Sequence, residues 1–216
     1  MKVSPSKLKV YVVCGLQYKY QYELKLLQPT NPAFAIGTAY HKMLENYYHW
    51  IMPTEVTPNP MLLKYQENPV DWNVVDTEKK IEFQFENIEI VMILDRLDED
   101  KIVEYKTSSF NYKPEDVDNW QTDLNIWVMY KLTWRLYPMH YSVMNKKRVT
   151  SKKYKPQIIV VEKTLQDMID IEERLLEVVS RIEAKDFKET IWPHCWYCPF
   201  WIKGTGNCDK FKYKKK

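Results

Sequence analysis

Between residues 80 and 107 the hydrophobic period of this chain changes from helical to two, so any fold it adopts must place a set of paired strands at its centre. Ile81, Phe83 and Phe85 alternate with Lys80, Glu82 and Gln84. Ile88 to Asp95 follows as an apolar strand and Lys101 to Thr107 as another, with Asp98-Glu99-Asp100 as the polar turn between them. Helical spacing stands on both sides. Ser4-Pro5-Ser6 ahead of Leu8, Tyr11 and Val12 reads as a capped helix start, with Cys14 at the helix end. A second helix is predicted from Pro32 to Ile51 through Phe34, Tyr40, Leu44, Tyr47 and Tyr48, and it carries Gly37 and His41 one turn apart. Beyond Pro114, the residues Val117, Trp120, Leu124, Trp127, Val128 and Leu132 form one apolar stripe. Strands at Met139 to Met144 and Gln157 to Val161 precede a helix from Thr164 to about Lys185, with Leu165, Met168, Leu175, Leu176, Val179 and Ile182 facing inward. This order implies an α/β fold, a mixed sheet flanked by helices. Pro53, Pro58, Pro60 and Pro69 predict an extended loop.

A chain of 216 residues can bury one sizeable core, so residues 1–216 are expected to form a single domain. No run of about 18 apolar residues is present, and Met1 to Val13 holds no apolar segment resembling a signal sequence. The expectation is a cytoplasmic protein without a membrane partner. In that compartment thiols stay reduced, so four cysteines point to metal ligation rather than to disulfides. None of the four glycines sits in a G-x-x-x-x-G-K-S/T loop, which excludes an ATP motor of that type. Lysine and arginine gather at Lys146, Lys147, Arg148, Lys152, Lys153 and Lys155 and again in the last seven residues, where they can meet phosphate or simply be solvated.

On a strand, Glu104 and Lys106 share a face, and a tight turn can bring Asp95 of the preceding strand alongside them. Two carboxylates and a lysine suit phosphodiester hydrolysis, which needs an activated water and neutralisation of charge on the phosphoryl oxygens. The acid followed by Glu104-Tyr105-Lys106-Thr107 resembles the signature of the PD-(D/E)xK nucleases, in their RecB-like branch. Gly37-Thr38-Ala39-Tyr40-His41 is similar to that branch's G-x-x-x-H element, and Gln121 to the glutamine of its later helix, although Asn125 stands where a tyrosine is common. The resemblance implies a restriction-endonuclease-like core. It also implies that His41, Asp95, Glu104 and the carbonyl of Tyr105 hold Mg2+ or Mn2+, that Lys106 positions water, and that Gln121 contacts substrate or active site. The substrate implied is DNA, single-stranded or with frayed ends, cleaved by an exonuclease similar to the CRISPR-associated RecB-like enzymes and their viral counterparts. CRISPR-adaptation or viral recombination proteins would be its partners.

The cysteines are unevenly placed: Cys195-Trp196-Tyr197-Cys198 and Cys208 lie near the end and Cys14 near the start. Zinc sites usually take their ligands from two local hairpins, so the asymmetry favours a cluster, but thiolates suit both [4Fe–4S] and zinc and spacing leaves both open. Ser4-Pro5-Ser6-Lys7-Leu8 followed by Cys14 resembles the opening of the RecB-like nucleases with a four-cysteine iron–sulfur cluster, with Gly15 where proline is frequent. By that resemblance residues 1–31 and 186–216 form a structural cluster-binding region that joins the chain ends. The alternative is a non-catalytic nucleic-acid-binding or adaptor protein with a zinc or cluster module, stacking bases on Trp196, Tyr197, Phe200 and Trp201.

Overall fold

The computed structural model describes residues 1–28, 32–49, 59–70, 73–117, 119–191, 193–201 and 207–208. The terminal lysine run, Ile51, Pro53 and Pro58 lie outside the described residues. Six strands form one mixed sheet: β1 (Lys2–Val3), β2 (Val74–Phe85), β3 (Ile88–Asp98), β4 (Ile102–Ser108), β5 (Met139–Asn145) and β6 (Gln157–Val161). β2 and β3 make a long antiparallel hairpin, and β2 occupies one edge of β3 throughout. The other edge of β3 is shared by β1 at Glu89 and Ile90 and by β4 at Arg96 and Leu97. β4 runs parallel to β5, and β6 returns antiparallel. The parallel pair needs a crossover, which the helices between residues 114 and 133 supply.

The first helix, α1 (Pro5–Val13), begins as expected, with Ser4 Oγ accepting the Lys7 N–H at 3.3 Å and proline in the first turn. It is followed by α2 (Gly15–Tyr18), α3 (Pro32–Tyr48) and α4 (Pro60–Glu67). α4 corrects the reading of an extended loop: Asn59 caps it by accepting the Met61 N–H, and Pro60 opens the first turn, where a missing N–H costs nothing. The helix after Pro114 is divided into α5 (Pro114–Val117) and α6 (Trp120–Thr133), with Asn119 capping the second. The last helix, α7 (Leu165–Glu183), starts from a reciprocal capping box between Thr164 and Asp167. Leu165, expected to face inward, and Leu132, read as part of the apolar stripe after Pro114, are exposed.

Helices cover both faces of the sheet. The larger core lies under α1, α6 and α7 and centres on Trp127, whose ring meets Phe83 and Phe85 edge-on at 5.8 and 5.0 Å. Cutting a buried ring of this size back to alanine costs about 3–5 kcal/mol. α6 is buried nearly all round rather than along one stripe, because α1 and α7 cover the side turned from the sheet. A second core, of Tyr40, Leu44, Tyr65, Val103, Tyr105, Met144 and Tyr154, packs α3 and α4 on the opposite face.

α1 and α2 meet the segment after α7 through one side-chain and one backbone hydrogen bond. Tyr11 Oη donates to the Asp186 carbonyl at 2.7 Å, and the Leu16 N–H donates to the Lys188 carbonyl at 3.2 Å. A side chain at Gly15 would place its Cβ 2.9 Å from that same carbonyl, so only glycine permits the approach.

Candidate active site

β3 pairs with β2 from Ile88 to Asp98 except at Asp95, in one register from Ile88 to Leu97 with a shift between Val74 and Asp76 at the end. Glu78, the residue that would face Asp95, has a φ of 49°. A left-handed conformation in a strand costs on the order of 1–3 kcal/mol and lasts only where its surroundings hold it. Leu94 and Leu97, three residues apart, both reach the larger core, so the alternation of side chains slips by one residue at this point. On the opposite edge the register with β4 stops at Arg96 and Val103, and the Tyr105 N–H donates to Asp95 Oδ2 at 2.7 Å. Asp95 therefore sits where β3 is unpaired on both sides, and its carboxylate takes the place of a strand carbonyl.

His41 reaches this gap from α3. Its Nδ1 lies 3.2 Å from Asp95 Oδ1 and 4.0 Å from Glu78 Oε1, and its Nε2 lies 2.9 Å from the carbonyl oxygen of Tyr105. Gly37, one turn earlier, faces Thr107 of β4, where an added Cβ would stand 3.8 Å from the hydroxyl, an ordinary contact, so the approach of α3 does not itself require glycine. Glu104 and Lys106 share a face of β4, and Lys106 Nζ donates to Glu104 Oε1 at 2.5 Å and to Gln121 Oε1 at 3.1 Å. Gln121 Nε2, from the first turn of α6, donates to the same Glu104 oxygen at 2.7 Å. His41, Asp95, Glu104, Tyr105, Lys106 and Gln121, singled out in the sequence, thus come together. Glu78 was not anticipated, since it stands within Asp76-Thr77-Glu78-Lys79-Lys80, where no alternation distinguishes it; only the backbone at this point turns it inward.

Among the described residues, His41, Glu78 and Asp95 are the group that brings three ligand atoms within 4.8 Å of one another. Glu104 is 1% exposed, and its Oε2 has no hydrogen-bond partner. Leaving a buried carboxylate oxygen unpaired is costly unless another group neutralises it. Burial, reinforced by repulsion from Asp95, pushes the Glu104 carboxyl up to about 7. Burial likewise, with the charge of Asp95, raises Glu78. For His41 burial acts downward, but the hydrogen bond and charge of Asp95 outweigh it and the pKa is raised. Lys106 behaves the same way: its pKa is raised because Glu104 overcomes the burial penalty. Oxygen and imidazole donors around an excess of buried negative charge fit a divalent cation.

The cysteines converge on a separate cavity. Cys14 is buried, Cys195, Cys198 and Cys208 are half-buried, and all four line one cavity with Leu16, Tyr20 and Ile191. Burial raises the Cys198 thiol, with the other three cysteines adding to the effect. Trp196 and Trp201, candidates for base stacking, pack edge-on against each other at 5.4 Å, and Phe200 is fully buried. Tyr197 is exposed.

The sequence matches the PD-(D/E)XK nuclease superfamily over residues 2–67 and 55–202. Among solved structures, a Eubacterium rectale protein bearing the name "Putative exonuclease" is similar with a TM-score of 0.59 and 10% identity, over 98% of this chain and 90% of that one. A protein designated SSO0001 is similar with a TM-score of 0.49 and 14% identity, over 96% and 87% of the two chains. No curated protein matches the sequence.

Proposed function

Since this chain belongs to the PD-(D/E)XK nuclease superfamily, we propose that it is a divalent-metal-dependent deoxyribonuclease, an exonuclease acting on single-stranded or frayed DNA. The observation that carries this reading is the site itself: Asp95 at a double break in strand pairing, with His41, Glu78, Glu104 and the Tyr105 carbonyl around it and one buried Glu104 oxygen unpaired. These groups would hold the cation. A divalent cation there supplies neutralisation of charge developing on the phosphoryl oxygens and a more acidic water.

The chain's own residues do the rest. Asp95 accepts from the Tyr105 N–H, so its carboxylate is fixed before anything binds. Lys106, held cationic by Glu104, places an N–H donor where an attacking water or a phosphoryl oxygen would lie. Gln121 bridges Lys106 and Glu104 and keeps both side chains turned to one point. His41, a softer ligand beside carboxylates, supports Mn2+ as well as Mg2+.

The cavity lined by Cys14, Cys195, Cys198 and Cys208 supports a structural thiolate-bound centre, a [4Fe–4S] cluster by the family resemblance with zinc as the alternative. Its place between α2 and the C-terminal segment suits a brace that joins residues near Cys14 to those near Cys195.

The test is cleavage of labelled single- and double-stranded DNA with Mn2+, Mg2+ or EDTA by the wild-type, Asp95→Ala and Lys106→Ala proteins. Metal-dependent cleavage lost in both variants is the expected result. DNA binding in EDTA with no cleavage under any metal would overturn the nuclease reading in favour of an adaptor. Iron and sulfide analysis of anaerobically purified protein tests the cluster separately.

A further inference from the structure

β1 and β4 both pair with the same edge of β3 and do not meet, so the stretch from Val91 to Asp95 has no strand on that side among the described residues. A cavity of about 470 Å3 occupies this gap, walled by Val91 and Ile93 of the open edge, Lys9 of α1, and Gln121 and Asn125 of α6. Roughly 300–1,000 Å3 is the range in which small organic ligands bind. Gln121 connects it directly to Glu104 and Lys106, and Asn125 follows one helical turn later.

Asn125 is 1% exposed, and neither its amide oxygen nor its amide nitrogen has a partner. Burying an unpaired amide is unfavourable, and no hydrogen bond within α6 or its neighbours offsets it among the described residues. Lys9 borders the cavity, is exposed, and has no carboxylate within ion-pair distance among the described residues. An exposed ammonium bordering the cavity, with no protein acid beside it, can meet a phosphate. An unpaired amide, an open strand edge with donors and acceptors, an apolar wall and an isolated lysine are together complementary to one nucleotide.

We propose that this cavity is a nucleotide subsite, which takes the nucleotide next to the scissile phosphate with its base edge on Asn125 and its phosphate at Lys9. The inference rests on the nuclease reading and extends it by assigning two residues that this reading does not use. Aspartate, glutamate and histidine of the candidate metal site play no part in it, so binding can be measured without metal.

The test is the affinity of fluorescein-labelled oligothymidine in EDTA for the wild-type, Asn125→Ala and Lys9→Ala proteins, with thermal midpoints recorded for each. Asn125→Ala is expected to weaken binding by about fivefold to tenfold while the thermal midpoint holds or rises, because an orphaned amide is removed. That loss should vanish on a strand of abasic nucleotides. Lys9→Ala should weaken binding to both strands and lower the logarithmic salt dependence by about one. Wild-type affinity in both variants, or a loss for Asn125→Ala that tracks a fall in thermal midpoint, overturns the subsite. Should the wild-type protein cleave DNA while the variants bind normally, only the subsite fails; should it neither bind nor cleave DNA, the nuclease reading fails first.

Discussion

Asp95 and Arg96 are neighbours on β3, and both are buried charges, yet they live in opposite kinds of surroundings. Arg96 is fully buried and closed: Nε and a terminal nitrogen donate to the two Asp98 oxygens at 2.6 Å each, and the other terminal nitrogen reaches Tyr48, Tyr65 and the Val70 carbonyl. The Tyr48 ring stacks against the guanidinium at 4.9 Å. Asp98 also has Lys101 at 3.6 Å. Each guanidinium nitrogen and each Asp98 oxygen has a partner within the protein. Around Asp95 the count is unbalanced: three carboxylates share His41 and Lys106, Glu104 Oε2 has no partner, and Glu78 adopts a strained backbone. A satisfied buried pair fixes structure, whereas an unsatisfied one is completed by a ligand.

That contrast can be broken in order of expected effect. Asp95→Ala should lower cleavage by more than ~10³-fold, about 4 kcal/mol in the transition state, while the far-ultraviolet circular dichroism and thermal midpoint stay near the wild type. A cleavage rate within tenfold would remove Asp95 from the site. Asp98→Ala should do the reverse and cost about 3–5 kcal/mol of folding free energy by stranding the Arg96 charge, read as a fall in urea midpoint. A fold as stable as the wild type would mean that the tyrosines alone suffice to hold Arg96.

Smaller effects sharpen the comparison. With its pKa near 7, Glu104 keeps its proton below that pH, and the cation must displace it. Mn2+ affinity measured by calorimetry should therefore fall by up to about tenfold per pH unit below 7 and level off above it. An affinity flat from pH 5.5 to 8 would show that Glu104 is not a ligand. Glu78→Gln keeps the shape but removes a charge, so Mn2+ should bind about tenfold more weakly, in line with the low end of the effects seen for groups that support a metal site. No change would make Glu78 a structural oddity of β2. Smallest of these is Gln121→Ala, which should lower the maximal rate by about tenfold at most if Gln121 only orients Lys106 and Glu104.

Much of this was legible in the chain itself. The strand period, the Ser4 and Thr164 caps and the spacing of Glu104 and Lys106 are local facts, written within a few residues of each other, and the structure carries them at the expected places. His41 and Gln121 were legible only through family likeness, because a histidine or glutamine on a helix carries no sign of what it will face. α4 was misread because proline signals an extended loop and a first helical turn equally well, and only the cap at Asn59 and the burial of Tyr65 select the helix.

The sequence alone determined the elements and the chemical types available: period two at the centre, helices around it, carboxylates and a lysine on adjoining strands, and four thiols near the ends. What only the tertiary structure decided was where pairing stops. Asp95 is left without a strand partner on either side, Glu78 turns in against its backbone preference, and β1 and β4 stand apart to leave an open edge beside Asn125. Local periodicity sets which face a side chain takes along one strand, but a gap in a ladder depends on the positions of three strands at once, and no segment of sequence encodes that by itself.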